Sequence, residues 1–442
     1  MKRMKMNLIF QSLWPKRSGC NPELGRLHRS AMLAKWLICC VAAGVAMSSC
    51  SDNEPPAPEP PSPGVPTQSE TSILLYAVAS NNLWYDLQND VNEMIAGAAQ
   101  LDLSQSDIWV YSLTPKDDPT LRHLVRGQDG ELELEVVKEY SKEQYSTDPA
   151  RISGVIDDYI SLSEASHRGL ILWSHASGWT PAFASHEVPQ PSVTPDSRGG
   201  LHIADASYED VANHAFGVDQ YLGQTDQCDI IELDDAIPAS TFDFIWFDCC
   251  YMSSIEVIYQ LRDKASTIVA YPTEVASEGM PYQLTIPHMA AKDFDLVEAA
   301  KAMANYFLDG GQVVTIAVVD TSALPELAAA AETAVKGTRI STRELQLYSR
   351  SPNGPFYDFG QYTRSWGASL GEQWDAARFE QALQNAVIYK AASATGFDRR
   401  PINPENFSGL SVHYFDDFED DASEYYKRLD WFRDVYTTVP EF

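Results

Sequence analysis

Cysteine, basic charge and long apolar runs are all scarce in this chain of 442 residues, and each scarcity removes a class of protein. Of seven cysteines, Cys20, Cys39 and Cys40 lie before residue 50, and Cys50, Cys228, Cys249 and Cys250 do not make a disulfide framework. No Cys-x-x-Cys or His-Glu-x-x-His pattern occurs, so zinc has little support. The formal charge is −30. The first fifty residues hold eight of the 32 Lys and Arg and one of the 62 Asp and Glu, so the remainder carries 24 against 61, a balance of −37. Such a surface repels nucleic-acid phosphates and anionic lipid and attracts basic peptides, although solubility accounts for the larger part of it. The apolar stretch Trp36 to Met47 is shorter than the ~20 residues of a spanning helix.

That stretch follows Lys35 and precedes Ser48-Ser49-Cys50, an arrangement that describes a secretory signal, so residues 1–50 are a targeting segment. Met32 would begin a compact signal of ordinary length, leaving a basic overhang before it. Ser48-Ser49-Cys50 resembles a bacterial lipoprotein box, with Met47 where Leu is usual. The resemblance implies lipidation of Cys50, which would become the mature N-terminus; an ordinary signal peptide with an incidental cysteine is the weaker reading. Residues 51–69 form a tether rich in proline (Pro55, Pro56, Pro58, Pro60, Pro61, Pro63 and Pro66) with no core-forming pattern. Asp52 and Glu54, close behind Cys50, resemble surface-export signals of some Gram-negative lipoproteins. The expected location is therefore the bacterial cell envelope, lipid-anchored at the outer membrane and exposed at the surface.

From residue 70 the chain alternates strand and helix signals. Strand-like runs are Ile73–Ala79, Asp107–Leu113, Gly169–Ser174, Asp243–Phe247, Thr267–Tyr271 and Val313–Val319. Between them, Leu87, Val91, Met94 and Ile95 share one helical face. Asp148-Pro149 reads as an N-cap and first-turn proline before Ile152, Val155, Ile156 and Ile160. This alternation predicts a mostly parallel sheet with helices on both faces. Residues 180–230, with Pro181, Pro189, Pro191, Pro195, Gly199 and Gly200, read as a long excursion. The core is expected over residues 70–320. Residues 321–442 are expected to belong to the same fold, with a helix through Phe379, Leu383, Ala386 and Val387 and a strand at Leu410–Phe415. The acidic run Asp416–Asp421 is a possible calcium site without support of its own; a solvated loop is the stronger reading, and no cofactor is required.

Two short segments carry the chemistry. Leu170-Ile171-Leu172-Trp173 leads into Ser174-His175-Ala176-Ser177-Gly178-Trp179, and Phe244-Ile245-Trp246-Phe247 leads into Asp248-Cys249-Cys250-Tyr251-Met252. Sites form at the carboxyl ends of parallel strands, where a His and a Cys 75 positions apart in sequence can meet. A thiol beside an imidazole is an activated nucleophile. Alone, each segment reads more simply, the His as a turn residue and the Cys as a small buried hydrophobe. Together at two strand ends they favour catalysis.

The pattern strand-His-Gly-x-Gly-Trp followed by strand-Asp-x-Cys-x-Met-x-x-x-Glu is that of the clostripain family of cysteine peptidases, in the caspase-like group, and the two segments resemble it. The matching residues are His175, Gly178 and Trp179, then Asp248, Cys250, Met252 and Glu256. Leu74-Leu75-Tyr76-Ala77 with Asn81-Asn82-Leu83, Glu278-Gly279-Met280-Pro281-Tyr282, Gly409-Leu410-Ser411-Val412 and Tyr425-Tyr426 extend the likeness from about residue 70 to the C-terminus. The resemblance implies a caspase-like three-layer αβα sandwich, mostly parallel at its centre, with a C-terminal α/β extension. It also implies a His175–Cys250 dyad with no third member, and an oxyanion held by the backbone N–H groups of Ala176 and Cys250. Cleavage after Arg or Lys would follow from pocket acids at Asp248 and Glu278, the latter where Asp is typical. Self-cleavage would fall after Arg198, the sole Lys or Arg between Arg168 and Arg262.

Bland roles compete at these positions: Asp248 as the cap of a helix beginning near Ser253, Glu278 as a solvated turn residue, Arg198 as an uncut loop arginine. Cys249 occupies the family's variable position and reads as a buried filler, since adjacent strand residues face opposite ways. Ala176 stands where the family has Gly, and it would be strained if that position needed φ > 0. The expected partners are protein or peptide substrates with Arg or Lys, and a membrane through Cys50, with no nucleic acid. The alternative is a catalytically weak or inactive homologue that binds peptides or glycans at the cell surface. An esterase or amidase using the same dyad has no specific support.

Overall fold

A computed structural model describes residues 66–181, 193–195, 201–203, 216–337, 340, 342–351, 354–397, 399–414 and 421–436. Cys50, Arg198 and Asp416–Asp420 lie outside the described residues.

The strands are β1 (Thr67–Val78), β2 (Ser106–Leu113), β3 (Thr120–Arg126), β4 (Leu132–Glu139), β5 (Ser163–Trp173), β6 (Val193–Pro195), β7 (Leu201–Ile203), β8 (Phe216–Asp219), β9 (Asp226–Cys228), β10 (Phe242–Asp248), β11 (Ala265–Ala270), β12 (Thr315–Asp320), β13 (Leu347–Ser351), β14 (Gly354–Asp358), β15 (Val387–Ala392) and β16 (Ser411–His413). Nine of them form one sheet, in the order β15-β12-β11-β10-β5-β1-β2-β3-β4. The central five, β2, β1, β5, β10 and β11, pair in parallel. Only β3 and β12 run against the other seven. Parallel strands are buried on both faces, which is why these central segments read as unbroken apolar runs.

The helices are α1 (Trp84–Ala98), α2 (Pro149–Leu162), α3 (Ile230–Ala236), α4 (Ile255–Gln260), α5 (Tyr282–Met289), α6 (Leu296–Asp309), α7 (Leu324–Ala334), α8 (Phe359–Ala368), α9 (Ala376–Ala386), α10 (Asp421–Tyr426) and α11 (Asp430–Val435). Asp148 caps α2, its side chain accepting from the Ala150 N–H at 2.8 Å, with Pro149 in the first turn as the sequence predicts. Strand alternation sorts the core into two layers. Leu74, Tyr76, Ile245 and Phe247 face α2, α3, α4, α7 and the C-terminal helices, whereas Ile73, Leu75, Phe244 and Trp246 face α1, α5 and α6. The three-layer αβα sandwich is the expected architecture.

The expected strands are all present, with shifted ends; β1 starts at Thr67 rather than Ile73. The β3–β4 hairpin was not expected. It extends the sheet at its edge, and its alternating Glu133, Glu135 and Glu139 leave one face in solvent. Within the excursion, β8 and β9 pair antiparallel and return to the sheet at the His175 segment.

Candidate active site

The sheet register brings the two motifs together. β5 and β10 are parallel neighbours in which Trp173 pairs with Asp248. His175 and Cys250 each lie two residues beyond that pair, in the turns that follow the ends of two neighbouring parallel strands.

The His175 turn is pinned from two sides. Ser174 Oγ donates to the Val78 carbonyl at 2.8 Å and accepts from the Val218 N–H at 3.2 Å. The His175 carbonyl accepts from the Gly217 N–H at 2.9 Å. Asn81 builds the turn after β1, its Nδ2 donating to the carbonyls of Val78 at 3.0 Å and Val218 at 2.8 Å. The turn presents Asn82, whose Oδ1 lies 2.8 Å from His175 Nε2. With the amide oxygen as acceptor, Nε2 carries the proton and Nδ1 keeps its lone pair. Burial pushes the half-buried His175 imidazole down to about 4, so the ring is neutral at pH 7. Ala176 bridges antiparallel to Phe216 and lies outside the left-handed region, so the missing glycine brings no backbone strain.

The two adjacent cysteines differ sharply. Cys249 points into the layer of Ile245 and Phe247, with its thiol 3.8 Å from the Leu172 carbonyl, and burial pushes that thiol well above its ordinary value. Cys250 lies at the turn, where its sulfur accepts from the Val275 N–H at 3.4 Å. Tyr251 has φ 61°, and its N–H donates to the Thr273 carbonyl at 3.0 Å. A bulky residue in that region is an outlier, of the kind that clusters at functional sites. Gly178, at φ 80°, packs against this turn; a Cβ there would lie 3.0 Å from Phe356 Cζ and 3.4 Å from the Tyr251 carbonyl oxygen.

The remaining motif residues do structural work. Trp179 lies edge-on to His413 and Tyr426, with ring centroids at 5.0 and 4.8 Å. Glu256 Oε1 accepts from the His413 N–H at 2.8 Å and from Tyr426 Oη at 3.1 Å, and burial pushes its carboxyl up to about 7. This cluster ties the His and Cys segments to the C-terminal part of the fold.

Asp248 faces the opposite layer from Cys249. Its Oδ2 accepts from the Met280 N–H at 3.2 Å and from Tyr282 Oη at 2.9 Å, and burial pushes its carboxyl up to about 6. It is not a helix cap: Ser254 caps α4, accepting from the Val257 N–H at 3.4 Å. Glu278 is exposed, and its charge is the second cause, after burial, of a raised carboxyl at the half-buried Asp86. Between Glu278 and Met280, Gly279 has φ 66°, and the place a Cβ would take there is closed in by both Asp248 and Asp90 of α1. Sequence reasoning named neither Asp90 nor the contact of Asn82 with His175. The one signal for Asp90 was a carboxylate next to Val91 and one turn from Leu87 and Met94, on the apolar side of its helix.

The sequence profile of the clostripain family matches residues 75–189 and 197–437, and the chain belongs to that family of cysteine peptidases. An inactive zymogen C11 protease from Parabacteroides distasonis is 27% identical, with a TM-score of 0.67 over 84% of this chain and 100% of that one. A secreted C11 cysteine protease from Bacteroides thetaiotaomicron, solved with an irreversible peptide inhibitor, shares the fold at 23% identity and a TM-score of 0.67, over 83% of this chain and 99% of that one. No curated protein matches the chain.

Proposed function

We propose that the protein is an endopeptidase that cleaves after Arg or Lys, with Cys250 as nucleophile and His175 as its acid–base partner. The observation that carries this reading is the placement of both residues two positions beyond one register pair on adjacent parallel strands. Neutral His175 takes the Cys250 thiol proton on Nδ1 while Nε2–H stays on Asn82. The sulfur attacks the scissile carbonyl carbon, and the resulting oxyanion is held by the N–H groups of Ala176 and Cys250. The imidazolium then protonates the leaving amine, and water hydrolyses the thioester to restore the thiol. Asp248 supplies negative charge to the pocket for the basic side chain, because burying a cation without a partner is strongly unfavourable.

Lipidation of Cys50 behind the Pro-rich tether would hold the enzyme at the outer surface of the bacterial envelope. Cleavage after Arg198, within Pro195-Asp196-Ser197-Arg198-Gly199-Gly200, would release the excursion between the two motif strands. The weak-homologue alternative drew on Ala176, and an alanine outside the left-handed region gives it no particular support.

The test compares neighbours. Cys250→Ala should abolish hydrolysis of Arg and Lys reporter peptides, whereas Cys249→Ala should retain most of it. Equal loss in two folded variants would overturn the assignment.

A further inference from the structure

Two buried carboxylates from different elements converge beside the nucleophile turn. Asp90 of α1 is 1% exposed and Asp248 at the end of β10 is 3% exposed. A Cβ on Gly279 would lie 3.0 Å from Asp248 Oδ2 and 3.1 Å from Asp90 Oδ2, so both acids close on one point. Asp90 Oδ2 accepts from Trp173 Nε1 at 2.8 Å, and Trp173 is the register partner of Asp248. Asp248 Oδ1 is buried and has no hydrogen-bond partner among the described residues.

The titratable groups acting on this pair are Asp86 and Glu93 from α1, Tyr282 from α5 and Tyr271 beyond β11. None of them is a cation. Two carboxylates this close in a low-dielectric setting do not both ionise, because desolvation and mutual repulsion act in the same direction. Burial first, and the charge of Asp248 second, push Asp90 up to about 9. Among the described residues, no group of three or more His, Cys, Asp or Glu is arranged to hold a metal ion. Exposure falls from Glu278, through the half-buried Asp86, to Asp90 and Asp248. Asp86 and Asp90 lie four apart on one face of α1, so the acids grade from the exposed surface to the buried interior.

We infer that Asp90 and Asp248 together form the floor of the pocket for the basic side chain, that they share one proton before substrate arrives, and that an entering Lys or Arg expels that proton to solvent. This rests on the basic-residue specificity proposed above. The cation meets the buried unpartnered oxygen of Asp248, and the displaced proton leaves both carboxylates ionised against one positive charge. Asp90 is then a specificity-determining residue, and Glu278 is a charge at the mouth.

The experiment is competitive inhibition by benzamidine, an amidinium cation, of hydrolysis of a Lys reporter peptide, from about pH 6 to about pH 8. One proton expelled per cation bound makes the affinity rise roughly tenfold per pH unit over that range. Asp90→Asn keeps an acceptor for Trp173 and removes the shared proton. It should abolish the slope and weaken benzamidine at least roughly 30-fold at about pH 8. The wild-type slope stands as a test even if the variant misfolds. A wild-type affinity that does not change with pH, or an Asp90→Asn protein that keeps both slope and affinity, overturns the inference while leaving basic specificity intact. A wild type that cleaves an uncharged norleucine reporter as fast as the Lys reporter overturns the specificity reading itself, and this inference with it.

Discussion

Replacing Asn82 with alanine should slow catalysis while leaving the fold intact. Asn82 is exposed, and its Oδ1 accepts from His175 Nε2 at 2.8 Å, so the change removes one bond without emptying a core site. That bond sets the tautomer that leaves the His175 Nδ1 lone pair available, and it would stabilise the imidazolium formed during attack. A net hydrogen bond is worth about 0.5–1.5 kcal/mol, and about 1.4 kcal/mol is tenfold in rate, so kcat should fall roughly 2- to 12-fold with KM little changed. The pH profile separates this role from a structural one. Burial depresses His175 to about 4, so its neutral form persists from pH 7 down towards that value, and any acid limb due to His175 should lie well below the ordinary histidine range. Asn82→Asp places a carboxylate against Nε2, favours the imidazolium, and should move that limb to higher pH. The assay is steady-state hydrolysis of a Lys reporter across pH by all three proteins. Undiminished kcat in Asn82→Ala, together with no shift of the limb in Asn82→Asp, would refute the positioning role.

Glu278→Gln should weaken cleavage of Lys and Arg reporters only a few-fold, and the loss should fade with added salt, because Glu278 is exposed. A salt-independent loss as large as that of Asp248→Asn would place Glu278 on the pocket floor. Cys50→Ser should release the protein from membranes or block its processing, whereas the wild type should partition with them, stable anchoring needing two or more acyl chains. A soluble wild type in cells that process lipoproteins would contradict the anchor. Incubated pure protein should yield two fragments that stay associated, with a new N-terminus at Gly199, and neither Arg198→Ala nor Cys250→Ala should be cut. A cut made equally well in Cys250→Ala would assign it to another protease.

The legible parts of the molecule were those whose local pattern and tertiary role coincide. Leu170–Trp173 and Phe244–Phe247 are apolar on both faces because β5 and β10 are central parallel strands, and strand ends are where His175 and Cys250 had to be. The Asp148-Pro149 cap was legible because capping is local. The β3–β4 hairpin was not, since an edge hairpin solvated on one face reads like polar loop. Asn82 was half-legible: the Asn-Asn turn stood out, but its contact with His175 exists only because β1 lies beside β5. Asp90 was illegible as a buried neighbour of Asp248 because an acid four residues after Asp86 reads as helix surface until α1 packs against α5 and the Gly279 turn. Trp179 and Glu256 were visible as motif residues, yet their role, holding the C-terminal segment to the His175 and Cys250 segments, depends on long-range packing.

The central claim is that Cys250, paired with His175, is the reactive thiol of a site selective for basic residues. It is tested most directly by treating the folded protein with a thiol-reactive peptide probe carrying Lys or Arg, beside an uncharged norleucine analogue, and locating the adduct by peptide mass spectrometry. The account predicts rapid modification of Cys250 by the basic probe, much slower reaction with the analogue, and loss of labelling in His175→Ala. An adduct on Cys249, or equal rates for both probes, would contradict it.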